Sequence, residues 1–92
     1  MSVYVDPLQY YNLTQIHSRQ ARKYGNHWCH LFADTVEELH EFARKLGLRK
    51  SWFQDRSLPH YDLTPNKRRQ ALSVGAASMT LRDWLQRLRA SV

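Results

Sequence analysis

The chain has 92 residues, which is enough for one domain with a modest hydrophobic core. A hydrophobic fraction of 42% does not favour a disordered chain, and the single cysteine, Cys29, excludes an internal disulfide. No apolar run approaches the roughly 18 residues of a membrane span, and no secretory signal pattern opens the chain. We therefore expect a single domain over residues 1–92, in the cytoplasm.

The formal net charge is +6, and the basic residues are concentrated near the C-terminus. Residues 64–92 hold six Lys and Arg against one acidic residue. An uneven basic surface favours a polyanionic partner, either nucleic acid or a phosphorylated small molecule. The alternative is that these charges are simply solvated.

The first third of the chain contains two predicted strands. The opening "SVYVD" is rich in β-forming residues and ends before Pro7, so it predicts a short strand ending at Asp6. Residues 8–26 have a mixed pattern that predicts a partly helical segment. The apolar, aromatic run "HWCHLFAD" at 27–34 predicts a buried strand.

The clearest predicted helix follows Asp34. Thr35 and Glu38 have the spacing of a capping box, the apolar residues that follow form one stripe, and Gly47 supplies a stop. After it, residues 49–55 suggest a short strand or turn, and residues 55–63 suggest a loop.

The C-terminal third predicts two further helices. Thr64 and Pro65 have the pattern of an N-cap and first helical position, and this helix should end at Gly75. Residues 76–79 form a candidate brief strand, and Thr80 caps an amphipathic last helix. The expected fold class is α/β, a small single domain in which a short sheet is covered by about three helices.

The helix that begins at Thr64 has an unusual charge. Lys67, Arg68 and Arg69 occupy its first turn, where the positive end of the helix dipole normally favours acidic residues. One explanation is a bound phosphate, held by free backbone N–H groups and these cations. The other is that the three side chains extend into water. In both cases their removal is expected to leave stability unchanged or to raise it.

Several residues able to carry chemistry lie at predicted strand ends or in loops beside them, where small α/β domains build sites. They are Asp6, His30, Asp34, His60 and Asp62. Structural roles are open for three of them, since Asp34 could cap a helix, Asp6 could fix a turn, and His30 could be a hydrogen-bonded core residue.

His60 and Asp62 are the candidate catalytic residues, because an H-x-D pair in an extended segment can aim both side chains at one bound group. Asp6 and His30 complete a candidate metal set with them, whose mixed ligands would suit zinc, manganese or iron. A Cys29 nucleophile is disfavoured, because the adjacent His30 would point to the opposite face of a strand. No P-loop or dinucleotide fingerprint is present.

Four segments carry a resemblance: "VYVD", "CHLFADTVEELHEFARKLGL", "SWFQ" and "PHYDLTPNKRRQALSVGA". In them the sequence resembles a family of small bacterial and phage proteins described as domain of unknown function 4031. The resemblance covers most of the chain except residues 8–26, and it names no activity. The family positions that it implies here are Asp6, His30, Asp34, His60, Tyr61 and Asp62.

We expect a small basic protein that binds nucleic acid or a phosphorylated ligand at a His/Asp-lined pocket beside the basic helix. The expected ligand-binding residues are Asp6, His30, Tyr61, Thr64, Lys67, Arg68 and Arg69. One alternative is a metal-dependent phosphoester hydrolase, similar to a nuclease or a phosphatase. Another is a non-catalytic protein-interaction module. A divalent metal is the only cofactor that these residues suggest, and the oligomeric state is left open.

Overall fold

Strand β3 is the centre of the sheet in a computed structural model that describes residues 2–10, 27–55 and 58–90. The described strands are β1 (Val3–Val5), β2 (Gln9–Tyr10), β3 (His27–Ala33), β4 (Tyr61–Leu63) and β5 (Ala77–Ser78). The described helices are α1 (Val36–Lys45), α2 (Pro65–Ser73) and α3 (Leu81–Ala90), with a 3₁₀ turn at Lys50–Trp52. The predicted α/β class, a short sheet with about three helices, is confirmed.

The sheet is mixed. Leu31 in β3 pairs with Val5 of β1 and also with Tyr61 of β4, so β1 and β4 lie antiparallel on opposite edges of β3. β5 runs parallel to β1, and β2 pairs antiparallel with the start of β3. The β3 register therefore determines which side chains of β1 and β4 lie next to each other.

Each face of the sheet carries its own apolar cluster. Strand alternation directs one set of side chains toward α1 and α2 and the other set toward α3. The first cluster includes Val3, Val5, Leu31, Leu39, Phe42, Leu63 and Ala71. The second consists of Tyr4, Phe32 and Trp84, with the aromatic rings of Phe32 and Trp84 5.3 Å apart. The sheet is thus covered on both faces.

Helix α1 forms where it was predicted. The Thr35 hydroxyl accepts a hydrogen bond from the Glu38 N–H at 3.1 Å, and Gly47 follows the helix with a φ of 78°. The capping box is only half formed, because the Glu38 carboxylate accepts from the Ser2 N–H at 2.7 Å. Glu38 therefore ties α1 to the start of β1.

The loop predicted over residues 55–63 is wrong at its end, where Tyr61–Leu63 form β4. A strand of three residues shows only one alternation of buried and less buried side chains. This is too short for a period of two to be recognised in the sequence. Residues 49–55 contain the 3₁₀ turn and one residue, Gln54, that bridges to His60.

The remaining element predictions have mixed outcomes. The strands ending at Asp6 and Asp34, the helix from Pro65 and the brief strand at 76–79 are all found, within one or two residues. The last helix begins as predicted, with the Thr80 hydroxyl accepting from the Asp83 N–H. Of the segment 8–26, Gln9–Tyr10 form β2, and residues 11–26 lie outside the described part. Within the described ranges, no helix has the length and apolar character needed to cross a membrane.

Candidate functional site

Asp6, His30 and Asp62 lie side by side across three strands. His30 is directly opposite Asp62 in the β3–β4 register, and the Asp6 N–H donates to the His30 carbonyl on the other edge of β3. Opposite residues project to the same face of a sheet, as do residues two apart on a strand. His60 therefore projects to the same face as Asp62. This is the face on which α3 packs, because Phe32, two residues after His30, contacts Trp84.

Asp6 holds His30 through both of its carboxylate oxygens. Oδ1 accepts from the His30 backbone N–H at 2.6 Å, and Oδ2 lies 2.7 Å from the ring Nδ1. Asp6 is only 2% exposed, so this carboxylate is removed from water and satisfied by His30. The second ring nitrogen of His30, Nε2, is left facing Asp62, with Oδ1 at 4.0 Å.

His60 is oriented in the same way by a backbone group. Its Nδ1 donates to the Leu58 carbonyl at 2.7 Å, which leaves Nε2 facing Asp62 Oδ1 at 3.5 Å. The His60 and His30 rings are 4.9 Å apart, edge to face. The hydrogen bond to Asp62, partly offset by burial, raises the pKa of His60 above its usual value.

Asp62 lies between the two imidazoles. Its Oδ1 faces both Nε2 atoms, while its Oδ2 accepts from the Gln54 Nε2 at 2.5 Å. Burial alone would raise the pKa of Asp62, but the hydrogen bonds and charge of His60, together with Gln54, outweigh it and hold this pKa below its usual range. Asp62 is thus a carboxylate with one oxygen directed at two histidines.

These three side chains fit a divalent metal ion. One ligand atom from each of His30, His60 and Asp62 lies within 4.8 Å of the other two. Ligand atoms around tetrahedral zinc are about 3.3 Å apart, since each lies about 2.0–2.1 Å from the ion. Side-chain movements of at most about 1.5 Å would close the set. Two imidazoles and one carboxylate leave coordination positions open, as in catalytic zinc and iron centres.

Asp6, which the sequence placed among the metal ligands, lies one layer further out. Both of its oxygens bind His30, so it supports a ligand rather than facing the centre itself. A carboxylate behind a histidine fixes the tautomer and the direction of the coordinating nitrogen.

Tyr61 faces away from this cluster. It belongs to the apolar layer beneath α1 and α2, where its hydroxyl lies 2.8 Å from His40 Nδ1. Burial raises the pKa of Tyr61. Strand alternation explains the separation, because Tyr61 lies between His60 and Asp62 in sequence and so projects to the opposite face.

The basic first turn of α2 makes intramolecular contacts. Thr64 caps the helix as predicted, accepting from the Lys67 N–H at 3.2 Å. The Lys67 ammonium donates to the Leu46 carbonyl at the end of α1 (2.7 Å), and Arg68 Nε donates to the Asp6 carbonyl (2.9 Å). Arg69 is exposed and contacts only Asn66 of its own helix among the described hydrogen bonds. Two of the three cations therefore connect α2 to neighbouring segments.

Asp34 is not part of the cluster and does not cap α1. Its carboxylate accepts from Trp84 Nε1 at 3.0 Å, from the Tyr4 hydroxyl at 3.2 Å and from Arg87 at 3.2 Å. Burial would raise the pKa of Asp34, but these hydrogen bonds and the Arg87 charge hold it below its usual range. Asp34 therefore fastens α3 to the end of β3.

Sequence reasoning missed Gln54, which supports Asp62. The glutamine reaches it because Gln54 and His60 form an antiparallel bridge, with mutual backbone hydrogen bonds of 2.9 Å. No local pattern signals such a bridge.

The fold and the cluster define a small α/β domain with two histidines and a carboxylate gathered on one face of its sheet. Residues 3–91 match the family described as "Protein of unknown function (DUF4031)", and the chain belongs to that family. The family predicted from the resemblance is confirmed, while the bacterial or phage origin stays a prediction. No curated protein and no solved structure matches the chain.

Proposed function

We propose that this protein binds a divalent metal ion, zinc in the first instance, through His30, His60 and Asp62 and hydrolyses phosphoesters. One observation carries the proposal. Both imidazoles have their Nδ1 atoms engaged, by Asp6 and by the Leu58 carbonyl, and both direct Nε2 toward the same carboxylate oxygen. Preset nitrogen atoms beside a carboxylate are the arrangement that a metal centre needs.

The residues have separate roles in this proposal. His30, His60 and Asp62 are ligands, whereas Asp6 and Gln54 are positioning residues that hold a ligand from behind. A metal ion bound to this set would lower the pKa of a bound water and polarise a phosphoryl oxygen. Hydrolysis would form one P–O bond to a water oxygen and break the ester P–O bond, and the proton lost by the water would end on the departing alkoxide or phenoxide oxygen.

The substrate class follows from charge. The chain has a net charge of +6, so a phosphate ester would be attracted where a cationic ester would not. The ligand suggested from the sequence, nucleic acid or a phosphorylated small molecule, is compatible with this activity. The first turn of α2 contributes less than expected to anion binding, since Lys67 and Arg68 are engaged elsewhere. A cytoplasmic location is proposed with it, because the single cysteine is a free, buried thiol.

Metal binding is tested first, on protein stripped with a chelator and dialysed. Zinc, manganese, iron(II) and cobalt(II) are titrated in competition with a chromogenic chelator. We expect one ion per chain and a loss of affinity of at least 100-fold in His60→Ala. His27→Ala is the matched control, because His27 is an exposed histidine at the start of β3 outside the cluster. Absence of stoichiometric binding by all four metals would overturn the proposal.

Hydrolysis is tested next with bis(p-nitrophenyl) phosphate as the diester and p-nitrophenyl phosphate as the monoester. Product should form only in metal-loaded wild type and in the His27→Ala control. Asp62→Asn should lose activity, since the amide cannot replace the carboxylate charge. Metal binding without hydrolysis of either ester would leave a metal-binding protein and refute the hydrolase.

A further inference from the structure

A basic and aromatic surface lies on the connection between α1 and β4. It consists of Arg49, Lys50 and Trp52, here called the Trp52 patch. Trp52 is 42% exposed, whereas the other two tryptophans, Trp28 and Trp84, are 9% and 5% exposed. The Arg49 guanidinium lies over the Trp52 ring, 5.7 Å from its centre, and Lys50 is exposed.

Helix α1 does not account for these charges. Cations stabilise the last turn of a helix, and Arg44 and Lys45 already occupy that turn. Arg49 and Lys50 lie four and five residues beyond Lys45, outside the reach of the dipole. Between Glu41 and Asp55 the chain has four basic residues and no acidic one. Among the described residues, none of the ion pairs includes Arg49 or Lys50.

The Trp52 patch is close to the candidate metal centre. Trp52 precedes Gln54 by two residues, a span of at most about 7 Å between their Cα atoms. Gln54 in turn donates to Asp62, one of the three candidate ligands. A chain of phosphates held at the Trp52 patch could therefore reach the metal centre.

We propose that the Trp52 patch binds single-stranded nucleic acid and presents it to the metal centre, which makes this the substrate class of the proposed hydrolase. The inference rests on that proposed function for its catalytic part only. Arg49 and Lys50 contact phosphates, and an unpaired base stacks on the exposed face of Trp52. Duplex is disfavoured, because its bases are already stacked on each other and are not available to the ring.

The binding test is performed with EDTA present, so that no metal-dependent step contributes. Single-stranded dT and rU oligonucleotides, and a duplex of equal length, are titrated at several salt concentrations. All three tryptophans emit, but a bound base can stack only on Trp52, because Trp28 and Trp84 are buried, so quenching of the intrinsic fluorescence reports on Trp52. We expect quenching by both single strands, with affinity for them at least 10-fold above that for duplex. A difference between dT and rU identifies whether DNA or RNA is preferred.

Two variants test whether the residues of the Trp52 patch contribute to single-strand binding. Trp52→Ala should weaken single-strand binding about 10-fold, the range for loss of one stacked base. Arg49→Gln combined with Lys50→Gln should lower the log–log salt slope by about 1.4, for two phosphate contacts on a single strand. The matched control is Arg82→Gln with Arg89→Gln, which removes the same charge from exposed positions of α3. Thermal melting checks that each variant is folded.

The outcomes separate the two proposals. Equal affinity of the Trp52 variant and wild type, equal effects of the two double variants, or a preference for duplex would each overturn the Trp52 patch. Single-strand binding in EDTA that depends on Trp52, with no cleavage of the oligonucleotides or of either nitrophenyl ester when metal is added, would support the patch and refute the hydrolase. Cleavage of the small nitrophenyl diester without single-strand binding would support the hydrolase and overturn the Trp52 patch.

Discussion

Asp6 and His30 are joined by two hydrogen bonds to one carboxylate, 2.6 Å to the backbone N–H and 2.7 Å to the ring Nδ1. The bond to the backbone N–H fixes the position of β3 beside Asp6, and the bond to Nδ1 fixes the orientation of the imidazole. The ring therefore has little freedom to rotate. Arg68, in helix α2, donates a hydrogen bond to the Asp6 carbonyl. The direction of His30 Nε2 is thus determined by three elements of the fold.

Asp6→Asn should reduce zinc affinity about 10- to 100-fold, the usual effect of removing a carboxylate behind a ligating histidine. The amide is isosteric, but it cannot offer two acceptor oxygens to His30. Affinity is measured by chelator competition, and the absorption spectrum of the cobalt-loaded protein reports the altered ligand field. Asp83→Asn, at an exposed position of α3, is the control. Because Asp6 is buried, urea unfolding in EDTA separates a loss of stability from a loss of affinity. Unchanged affinity in a folded Asp6→Asn variant would refute the positioning role.

Lys67→Gln should destabilise the protein, contrary to the expectation from sequence that removing this cation is neutral or favourable. Its ammonium satisfies the Leu46 carbonyl at the C-terminal end of α1, a charge-assisted contact whose loss costs about 1–2 kcal/mol. Arg69→Gln, two residues further along the helix and exposed, should change the free energy of unfolding by less than about 0.5 kcal/mol. Urea denaturation of both variants measures the difference. Equal stabilities would show that the Lys67 contact contributes nothing.

His60 and Asp62 could be paired from sequence because their relation is local. Residues two apart in an extended segment project to one face whatever the strand pairs with. The same rule places Tyr61 on the other face, although the family resemblance grouped it with them. Membership of one sequence motif therefore does not place neighbouring side chains on one face of a strand.

The rest of the cluster depends on registers that a local pattern does not specify. Asp6 meets His30 across 24 residues, and His30 meets Asp62 across 32, through the pairing of β3 with two other strands. A shift of one residue in either register would move these side chains to opposite faces. The basic turn of α2 was hard to interpret for the same reason, because the partners of Lys67 and Arg68 lie 21 and 62 residues away.

Cys29 should be unreactive in the folded protein. Burial, with a further contribution from the Asp6 charge, raises the pKa of its thiol to about 12. At pH 8 its thiolate fraction would be about three orders of magnitude below that of an ordinary cysteine. A chromogenic disulfide reagent should therefore react slowly with native protein and at once in guanidinium. Rapid reaction of the native protein would show that the β3 core opens readily.

Asp34 should make stability depend on pH in the acidic range. Its pKa is lower in the folded chain than in the unfolded chain, so its contribution to stability is present above the unfolded pKa of about 3.9 and is lost as pH falls through the folded pKa. Asp34→Asn removes the charge that Arg87 contacts but keeps an acceptor for Trp84. The variant should be less stable than wild type at pH 7, and the gap should narrow below pH 4. Urea denaturation between pH 3 and pH 7 measures it, with Asp55→Asn, at an exposed position, as the control. A gap that stays constant over this range would show that the Asp34 charge does not hold α3 on the sheet.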